Sequence, residues 1–324
     1  MANFSCNSPV NCDVEFDVKN IENKTAIVTG DQSWLTRIGA NGLGEAYVRA
    51  LVAAGATVVI ADLDVDAGNK LEKELIQKFV STNPVSVKFI KCDTTSWDDQ
   101  VHLFAAAASF SPTGRISFVV ANAGIHRRDE VFAYSGDDKA PQKPDLTTID
   151  VNLIGTLYTS KLASHYFIKQ NGQKHSGSQE DTCLILIGSG AAFLDCPRAP
   201  QYCSTKWAMR GIMHSLRRTA FYYGSRVNVI SPWYVKTNIL SEEAFAHITS
   251  VGVHFAESSE AGQCLLRILS DKNINGRSFF ISGKKWSTSG YLDLDIDDYQ
   301  ENSLVDSIQR DQVKSAPVEL GLFT

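Results

Sequence analysis

The sequence predicts an α/β fold with a single doubly wound parallel sheet and helices on both faces. Short apolar runs rich in β-branched residues recur along the chain, and most are followed by an amphipathic helical pattern. The runs are continuously apolar, which is typical of strands buried on both faces of a parallel sheet. Right-handed crossovers then place helices on both sides of the sheet. A closed α/β barrel would need about eight strand–helix units and is typically longer, so the open sheet is favoured.

Seven strands are expected along the chain. They are TAIVTG from Thr25, ATVVIAD from Ala56, VKFIKCD from Val87, ISFVVANAG from Ile116, CLILIGS from Cys183, VNVISP from Val227 and RSFFISG from Arg277. The domain is predicted to cover residues 18–284, with an N-terminal extension over 1–17 and an acidic C-terminal tail (DLDIDDYQE) within 285–324. Both flanking segments are interpreted as solvated or loosely packed.

Composition excludes several classes of function. The 324 residues are 44% apolar and 21% charged, with a net charge of -5, which is ordinary for a globular protein without a nucleic-acid-binding surface. No signal peptide and no apolar run long enough to span a membrane are found. The seven cysteines are scattered without a CxxC motif, and the seven histidines lack metal-ligand spacing. We therefore expect reduced thiols, a cytoplasmic location and no metal.

Residues 29–44 read TGDQSWLTRIGANGLG and lie between the first strand and the first helix. A glycine turn at this place lets backbone N–H groups and the helix N-terminus meet a pyrophosphate. Removal of residues 31–38 leaves TGGANGLGEAY, a compact turn with Gly30, Gly39, Gly42 and Gly44. The stretch is interpreted as a dinucleotide-binding loop with eight extra residues. Three readings stay open: a tolerated bulge, a segment that prevents cofactor binding, or a gene-model artefact.

The second predicted strand ends at Asp62. A carboxylate at this place accepts hydrogen bonds from the adenosine ribose hydroxyls and repels a 2′-phosphate. No Arg or Lys follows before Lys70, and the turn position that could carry a cation holds Asn41. The sequence therefore favours NAD over NADP.

Tyr202 and Lys206 lie in YCSTK at the start of a helical pattern, four residues apart and hence on one helix face. A neighbouring ammonium is expected to lower the pKa of the phenol from about 10, so that Tyr202 can exchange a proton with an alcohol or carbonyl oxygen. Ser189 ends the strand CLILIGS, at the edge where ligands bind, and its hydroxyl could hold the same oxygen. Together they predict hydride-transfer chemistry with a dinucleotide cofactor.

Residues 17–283 resemble the short-chain dehydrogenase/reductase family, through TG…GANGLG, CDTT, ANAG, VNLIG, the Ser189 strand, YCSTK and SPWYVKT in this order. The resemblance implies a Rossmann-type fold in which Ser189 orients the substrate oxygen and Tyr202 is the acid/base. It implies that Lys206 binds the nicotinamide ribose and that Asn152 holds a water linking Lys206 to solvent. The cofactor contacts that it implies, together with Ala123, are Gly30, Gly42, Leu43, Gly44, Asp62, Asp93, Thr94, Asn122, Gly124, Tyr202, Lys206, Val235 and Thr237.

Within the family, the chain is similar to fungal members related to 15-hydroxyprostaglandin dehydrogenase and 5′-hydroxyaverantin dehydrogenase. The similar segments are VNLIGTLYTSKLASHYF, PRAPQYCSTKWAMRGIMHSLR and SPWYVKTNIL. This similarity implies an NAD-dependent oxidoreductase of secondary metabolism that interconverts a secondary alcohol and a ketone on a lipid-like or polyketide-like substrate. The alternatives are a catalytically impaired dinucleotide-binding protein, because of residues 31–38, and an NADP-linked ketoreductase.

Residues 238–257 match the position of the family's substrate lid. The family usually has Pro-Gly where this chain has Pro232-Trp233, and the aromatic residues Trp233 and Tyr234 could shape an apolar pocket or pack in the core. The same two roles are open for Phe245, Ile248, Val251 and Phe255. The resemblance also implies pairing of long apolar helices across a two-fold axis, in a homodimer or homotetramer.

Overall fold

Eight strands form one sheet in the computed structural model of the chain, whose description covers residues 9–30, 42–79, 86–235 and 242–320. Their order is β3-β2-β1-β4-β5-β6-β7-β8, parallel from β3 to β7 and antiparallel between β7 and β8. The strands are β1 (Thr25–Thr29), β2 (Thr57–Asp62), β3 (Val87–Lys91), β4 (Phe118–Ala121), β5 (Thr182–Ile187), β6 (Ser225–Pro232), β7 (Ser278–Ile281) and β8 (Tyr291–Asp293). The seven expected strands and the doubly wound α/β fold are confirmed.

Helices cover both faces of this sheet. They are α1 (Leu43–Ala53), α2 (Val65–Phe79), α3 (Trp97–Phe110), α4 (Thr147–Ile149), α5 (Thr156–Asn171), α6 (Pro200–Leu216), α7 (Glu242–Ser250), α8 (Ser258–Ser270) and α9 (Leu304–Ser315). Helices α1, α2 and α8 share one apolar cluster, and α3, α5 and α6 share the other. Successive residues of β1 point to opposite clusters, as the period of a strand requires: Val28 belongs to the first and Ile27 to the second.

The VNLIG motif lies in a turn of π-helix at Asp150–Gly155, directly before α5. The side chain of Gln100 on α3 donates to the carbonyl oxygens of Gly155 at 2.9 Å and Thr94 at 2.6 Å. A Cβ on Gly155 would lie 3.0 Å from the Thr94 carbonyl oxygen. The π-turn is therefore fixed against the loop after β3, and it places Asn152 near the carboxyl edge of the sheet.

The two flanking segments are more ordered than the sequence indicated. Strand β8 pairs with β7, and Asp293 and Asp297 are 8% and 6% exposed. Asp293 accepts hydrogen bonds from Arg277 Nε at 2.7 Å and from the backbone N–H of Val10 at 3.0 Å, and Cys12 packs in the core. The expectation of loose packing is wrong for these stretches, because their carboxylates pair with buried arginines. It holds for α9, which buries no residue.

Residues 31–38, Gly39, Asn41 and Thr237 lie outside the described residues, as does the side chain of Phe245. Of the described part of the chain, α7 falls within the predicted lid. No helix in that part is long and apolar enough to cross a membrane.

Candidate active site

The residues that the sequence singled out lie along the carboxyl edge of the parallel sheet, because parallel strands all end on the same side. Gly30, Asp62 and Asp93 follow or end β1, β2 and β3. The loops after β4, β5 and β6 bring Asn122 to Gly124, Ser189 and Val235 to the same edge. The strand order changes direction between β1 and β4, the place where dinucleotides bind in such sheets.

The backbones of β1 and β4 approach each other closely at this switch point. Gly30 has φ +68°, and a Cβ there would lie 2.3 Å from the Cα of Ala123. The side-chain amide of Asn122 donates to the carbonyl oxygens of Thr29, at 3.1 Å, and Gly30. The Thr29 hydroxyl accepts from the backbone N–H groups of Asn122 and Ala123. Only glycine satisfies both the backbone conformation and the contact at position 30.

Helix α1 begins at Leu43 with Gly42 as its N-cap, and no side chain in the described residues caps it. The N–H groups of a first helical turn have no partner within the helix. The glycines at 42 and 44 contribute no side chain of their own to this turn. The first turn therefore fits the pyrophosphate of a dinucleotide.

The loops after β2 and β3 are held by their own carboxylates. Asp62 is 5% exposed and accepts from the backbone N–H of Asp64 at 2.8 Å. Asp93 accepts from the backbone N–H and the hydroxyl of Thr95 at 2.9 and 2.7 Å. These bonds fix the turns after β2 and β3.

Ser189 and Tyr202 meet above the end of β5. The Ser189 hydroxyl accepts from the N–H of Ala191 at 3.2 Å, within the short 3-10 turn Gly190–Ala192. Tyr202 lies in the first turn of α6, which Pro200 starts. Burial raises the pKa of Tyr202 above 10, and a hydrogen bond with Ser189 offsets part of that rise. The predicted lowering of this pKa is therefore wrong for the protein alone, because the desolvation of the phenolate dominates.

Lys206 lies one helical turn further along α6 and is 6% exposed. Its Nζ donates to the carbonyl oxygen of Ile187 at 2.9 Å and lies 5.6 Å from the centroid of the Tyr202 ring. Burial lowers the pKa of Lys206 to about 8.

Asn152 connects the π-turn to the loop after β4. Its Oδ1 accepts from the N–H of Ile125 at 2.7 Å, and its Nδ2 donates to the Ile125 carbonyl at 2.9 Å and to the Thr205 hydroxyl at 3.3 Å. A Cβ on Gly124 would lie 3.4 Å from both Asn152 Oδ1 and Lys206 Nζ. Asn152, Gly124 and Lys206 therefore converge on one point beside Tyr202.

Two neighbours of Tyr202 were missed by sequence reasoning. The ring of His126 stands edge-on to the Tyr202 ring, with centroids 4.9 Å apart. Asp129 accepts from the backbone N–H of Gln201 at 2.6 Å and so anchors the first turn of α6. Both come from the polar segment HRRDE after ANAG, which has no periodicity that would place it beside a helix 72 residues away.

Aromatic rings line the side of Ser189 that faces β6. A Cβ on Gly190 would lie 2.1 Å from the Trp233 ring, so this ring packs directly on the turn after Ser189. The Trp233 and Tyr234 ring centroids are 4.6 Å apart, and those of Tyr234 and Phe255 are 5.7 Å apart. Val235 pairs with Ala256 and joins this aromatic wall to the segment before α8. Ile248 is half-buried, whereas Val251 is 64% exposed.

Over the described ranges, no cluster of three or more His, Cys, Asp or Glu side chains could hold a metal ion. The groups that the edge of the sheet offers for chemistry are the hydroxyl, phenol, ammonium and amide groups of Ser189, Tyr202, Lys206 and Asn152.

Comparison with known proteins agrees with this geometry. A family model described as short chain dehydrogenase matches residues 24–246. 5′-Hydroxyaverantin dehydrogenase of Dothistroma septosporum is 32% identical over 235 residues, which cover 69% of this chain and 71% of that protein. NADP-dependent dehydrogenase M3 of a Phoma species is 28% identical over 304 residues, which cover 90% of this chain and 84% of that protein.

Among solved structures, a gluconate 5-dehydrogenase from Burkholderia cenocepacia in complex with NADP and tartrate superposes with a TM-score of 0.66. It is 20% identical, and the superposition covers 83% of this chain and 98% of that one, so the likeness is one of fold. The family match spans most of the sheet and every strand-end loop from Gly30 to Val235. This chain belongs to the short-chain dehydrogenase family of nicotinamide-dinucleotide oxidoreductases.

Proposed function

We propose that this protein is an NAD-dependent alcohol dehydrogenase/reductase that interconverts a secondary alcohol and a ketone on an apolar, lipid-like or polyketide-like substrate. The observation that carries the proposal is the meeting of Ser189, Tyr202 and Lys206 at the sheet edge, with Asn152 behind them. A strand-end hydroxyl, a phenol and a buried ammonium beside a dinucleotide cradle are the groups that this reaction needs.

In oxidation, the Ser189 hydroxyl holds the substrate oxygen and Tyr202 removes the proton from the alcohol. A bound nicotinamide would supply the acceptor for the hydride that leaves the carbon bearing that oxygen. In reduction, Tyr202 returns its proton to the carbonyl oxygen. Ser189 lies close enough to Tyr202 to lower the pKa of the phenol, and this supports the assignment, because both hydroxyls are then within reach of one oxygen atom.

Lys206 and Asn152 complete the proton path in this proposal. The Lys206 ammonium holds the nicotinamide ribose and favours the Tyr202 phenolate by its charge. Its pKa of about 8 lets it pass a proton on at neutral to mildly alkaline pH. Asn152 fixes the loop after β4 through Ile125 and holds a water beside Lys206.

The cofactor contacts follow the edge of the sheet. We assign the pyrophosphate to the first turn of α1, the ribose of adenosine to Asp62, and the nicotinamide side to the loops after β4 and β6. The assigned contacts are Gly30, Gly42, Leu43, Gly44, Asp62, Asp93, Thr94, Asn122, Gly124, Val235 and Thr237. The buried carboxylate of Asp62 supports NAD, although two fungal relatives are named as NADP-dependent dehydrogenases.

The substrate class rests on the wall formed by Trp233, Tyr234 and Phe255. Three aromatic rings in sequence favour a planar or extended apolar molecule over a charged one. The similarity to 5′-hydroxyaverantin dehydrogenase points the same way. We further propose a cytoplasmic homodimer or homotetramer, supported by Leu157 on α5 and Trp207 on α6, which are 42% and 50% exposed.

The proposal is tested by turnover of the purified full-length chain with a panel of aromatic and aliphatic secondary alcohols, with NAD and NADP in parallel. The expected result is activity with NAD and at least about tenfold lower kcat/KM with NADP, since the Asp62 carboxylate repels the 2′-phosphate. Asp62→Ser should reduce that ratio. Preference for NADP in the unmodified protein would overturn the cofactor assignment. Tight NADH binding without turnover of any alcohol or ketone would favour a non-catalytic dinucleotide-binding protein.

A further inference from the structure

Arg210 on α6 reaches the turn that follows Ser189. Its Nη1 donates to the carbonyl oxygen of Ala192 at 2.9 Å, the last residue of the 3-10 turn. Its guanidinium also stacks over the ring of Phe193, 4.6 Å from the centroid, and lies 4.8 Å from that of Trp207 on its own helix. Two contacts from one side chain thus hold the turn over residues 190–193 against the helix that carries Tyr202 and Lys206.

The other side of the same guanidinium is held by Asp297, in the segment after β8. Arg210 Nε and Nη2 donate to Asp297 Oδ1 at 3.0 and 2.9 Å, and the side chains are 12% and 7% exposed. The same oxygen lies 2.9 Å from Nε2 of His214. Arg217 Nη2 donates to the Asp297 backbone carbonyl at 2.8 Å. Three side chains on or at the end of α6 therefore fix this one residue.

The partners of Asp297 favour its carboxylate form. Its burial raises the pKa of the carboxyl group, but the hydrogen bonds from His214 and Arg210 outweigh that effect and hold the pKa well below its usual range. A nearly buried arginine that lost this partner would keep an uncompensated charge and turn toward solvent. The rotation of its side chain toward solvent would break its contacts with Ala192 and Phe193.

We propose that Arg210 is a positioning residue, and that Asp297 of the C-terminal segment, residues 291–298, holds it so that the turn over residues 190–193 keeps the Ser189 hydroxyl aligned with Tyr202. The inference rests on the proposed function for the roles of Ser189 and Tyr202, but the contacts that carry it do not. The C-terminal segment is then part of the catalytic framework of this enzyme.

The proposal predicts a specific change in the pH profile. Ser189 is the group that lowers the pKa of Tyr202, against burial and the nearby thiols of Cys196 and Cys203. Lys206 on the same helix and His126 on the loop after β4 are the other titratable groups against the ring. A loosened Ser189 turn raises the Tyr202 pKa, so the acidic limb of alcohol oxidation moves to higher pH.

The experiment compares two full-length variants with the unmodified chain. Arg210→Lys keeps the charge but lacks the planar fork that reaches Asp297 and Ala192 together. Asp297→Asn keeps the size but removes the charge. For both we expect kcat for a secondary alcohol to fall by about tenfold, as a small misplacement of a catalytic group produces, with the Kd for NADH within about twofold. Amide hydrogen exchange over residues 190–193 should rise in both.

Asp295→Asn is the matched control. Asp295 lies two residues before Asp297 in the same segment, is 40% exposed at its side chain and pairs with Arg277 rather than with α6. Its substitution should leave kcat, the pH limb and the exchange of residues 190–193 unchanged. The proposal is overturned if Arg210→Lys and Asp297→Asn show the exchange rates of this control. Hydrogen exchange can be measured without turnover. An inactive unmodified protein would therefore refute the proposed function, while the role of Arg210 and Asp297 in holding residues 190–193 is still tested.

Discussion

The Nζ of Lys206 lies 5.6 Å from the centroid of the Tyr202 ring and is bonded to the carbonyl oxygen of Ile187 at 2.9 Å. Burial disfavours the charged form of both side chains: the pKa of Lys206 falls to about 8 and that of Tyr202 rises. In the protein alone, Tyr202 is therefore held as the neutral phenol, whereas Lys206 stays mostly an ammonium below about pH 8. A bound nicotinamide cation would favour the phenolate, so cofactor binding and activation of Tyr202 are coupled.

Removal of the Tyr202 hydroxyl should abolish most of the turnover without loss of cofactor binding. For Tyr202→Phe we expect kcat to fall by about 10³-fold, because the proton transfer to and from the substrate oxygen is lost. The Kd for NADH, measured by fluorescence, should change little. Tyr222→Phe, in the distant turn Ala220–Tyr223, is the control and should retain full activity. Comparable activity of Tyr202→Phe and the control would remove Tyr202 from the mechanism.

Ser189→Ala should lower kcat/KM by about 100-fold, because a group that stabilises the reacting oxygen is removed. The variant also loses the hydrogen bond that lowers the pKa of Tyr202. Oxidation needs the phenolate, so the acidic limb of the kcat/KM profile should move to higher pH. Ser189→Thr keeps the hydroxyl and should restore part of both effects. An unchanged pH limb in Ser189→Ala would contradict the bond between the two hydroxyls.

The buried ammonium of Lys206 predicts a stability that depends on pH. Below pH 8 the lysine is protonated in the folded and the unfolded chain. Between about pH 8 and 10.4 only the unfolded chain keeps the proton, so the free energy of unfolding rises with pH in this window. Relative to Lys206→Met, the unmodified protein should gain on the order of 3 kcal/mol across the window. Urea unfolding of both proteins at several pH values measures this difference. The same dependence of the free energy of unfolding on pH in both proteins would refute the lowered pKa of Lys206.

Gly30 offers a test of the close approach between β1 and β4. Gly30→Ala places a methyl group 2.3 Å from the Ala123 Cα at φ +68°. Gly114→Ala is a matched control, because Gly114 has φ +69° and no atom within 4 Å of the added Cβ. The control should lower the free energy of unfolding by about 1 kcal/mol, for the backbone conformation alone. Gly30→Ala should lower it by several kcal/mol more, because the methyl group also overlaps Ala123. Thermal unfolding of both variants measures the two losses. Equal losses would mean that the strands separate there at little cost.

Much of the fold could be predicted because its signals are local. Continuous apolar runs such as TVVIAD predict buried parallel strands, and the strand ends then place Ser189 and Asp62 on one edge without further information. The spacing of Tyr202 and Lys206 is equally local, since one helical turn separates them.

The remaining features depend on pairs that are distant in the sequence. Arg210 and Asp297 are 87 residues apart, and an acidic run alone is typical of a solvated tail, so its burial could not be foreseen. The π-turn at Asp150–Gly155 is set by Gln100 on another helix. The direction in which the pKa of Tyr202 shifts depends on its burial, which the local sequence motif does not encode.

The separation of 87 positions between Arg210 and Asp297 also has a consequence for the order in which the site is synthesised. During synthesis the chain leaves the ribosome from its N-terminus, and Ser189, Tyr202 and Lys206 emerge long before the carboxylate that binds Arg210 on α6. A polypeptide that stops short of Asp297 would contain every reactive group and yet lack the contact that aligns them. In the proposal made above, the residues after the last strand thus supply, late in synthesis, the contact that completes the alignment of groups already present in the chain.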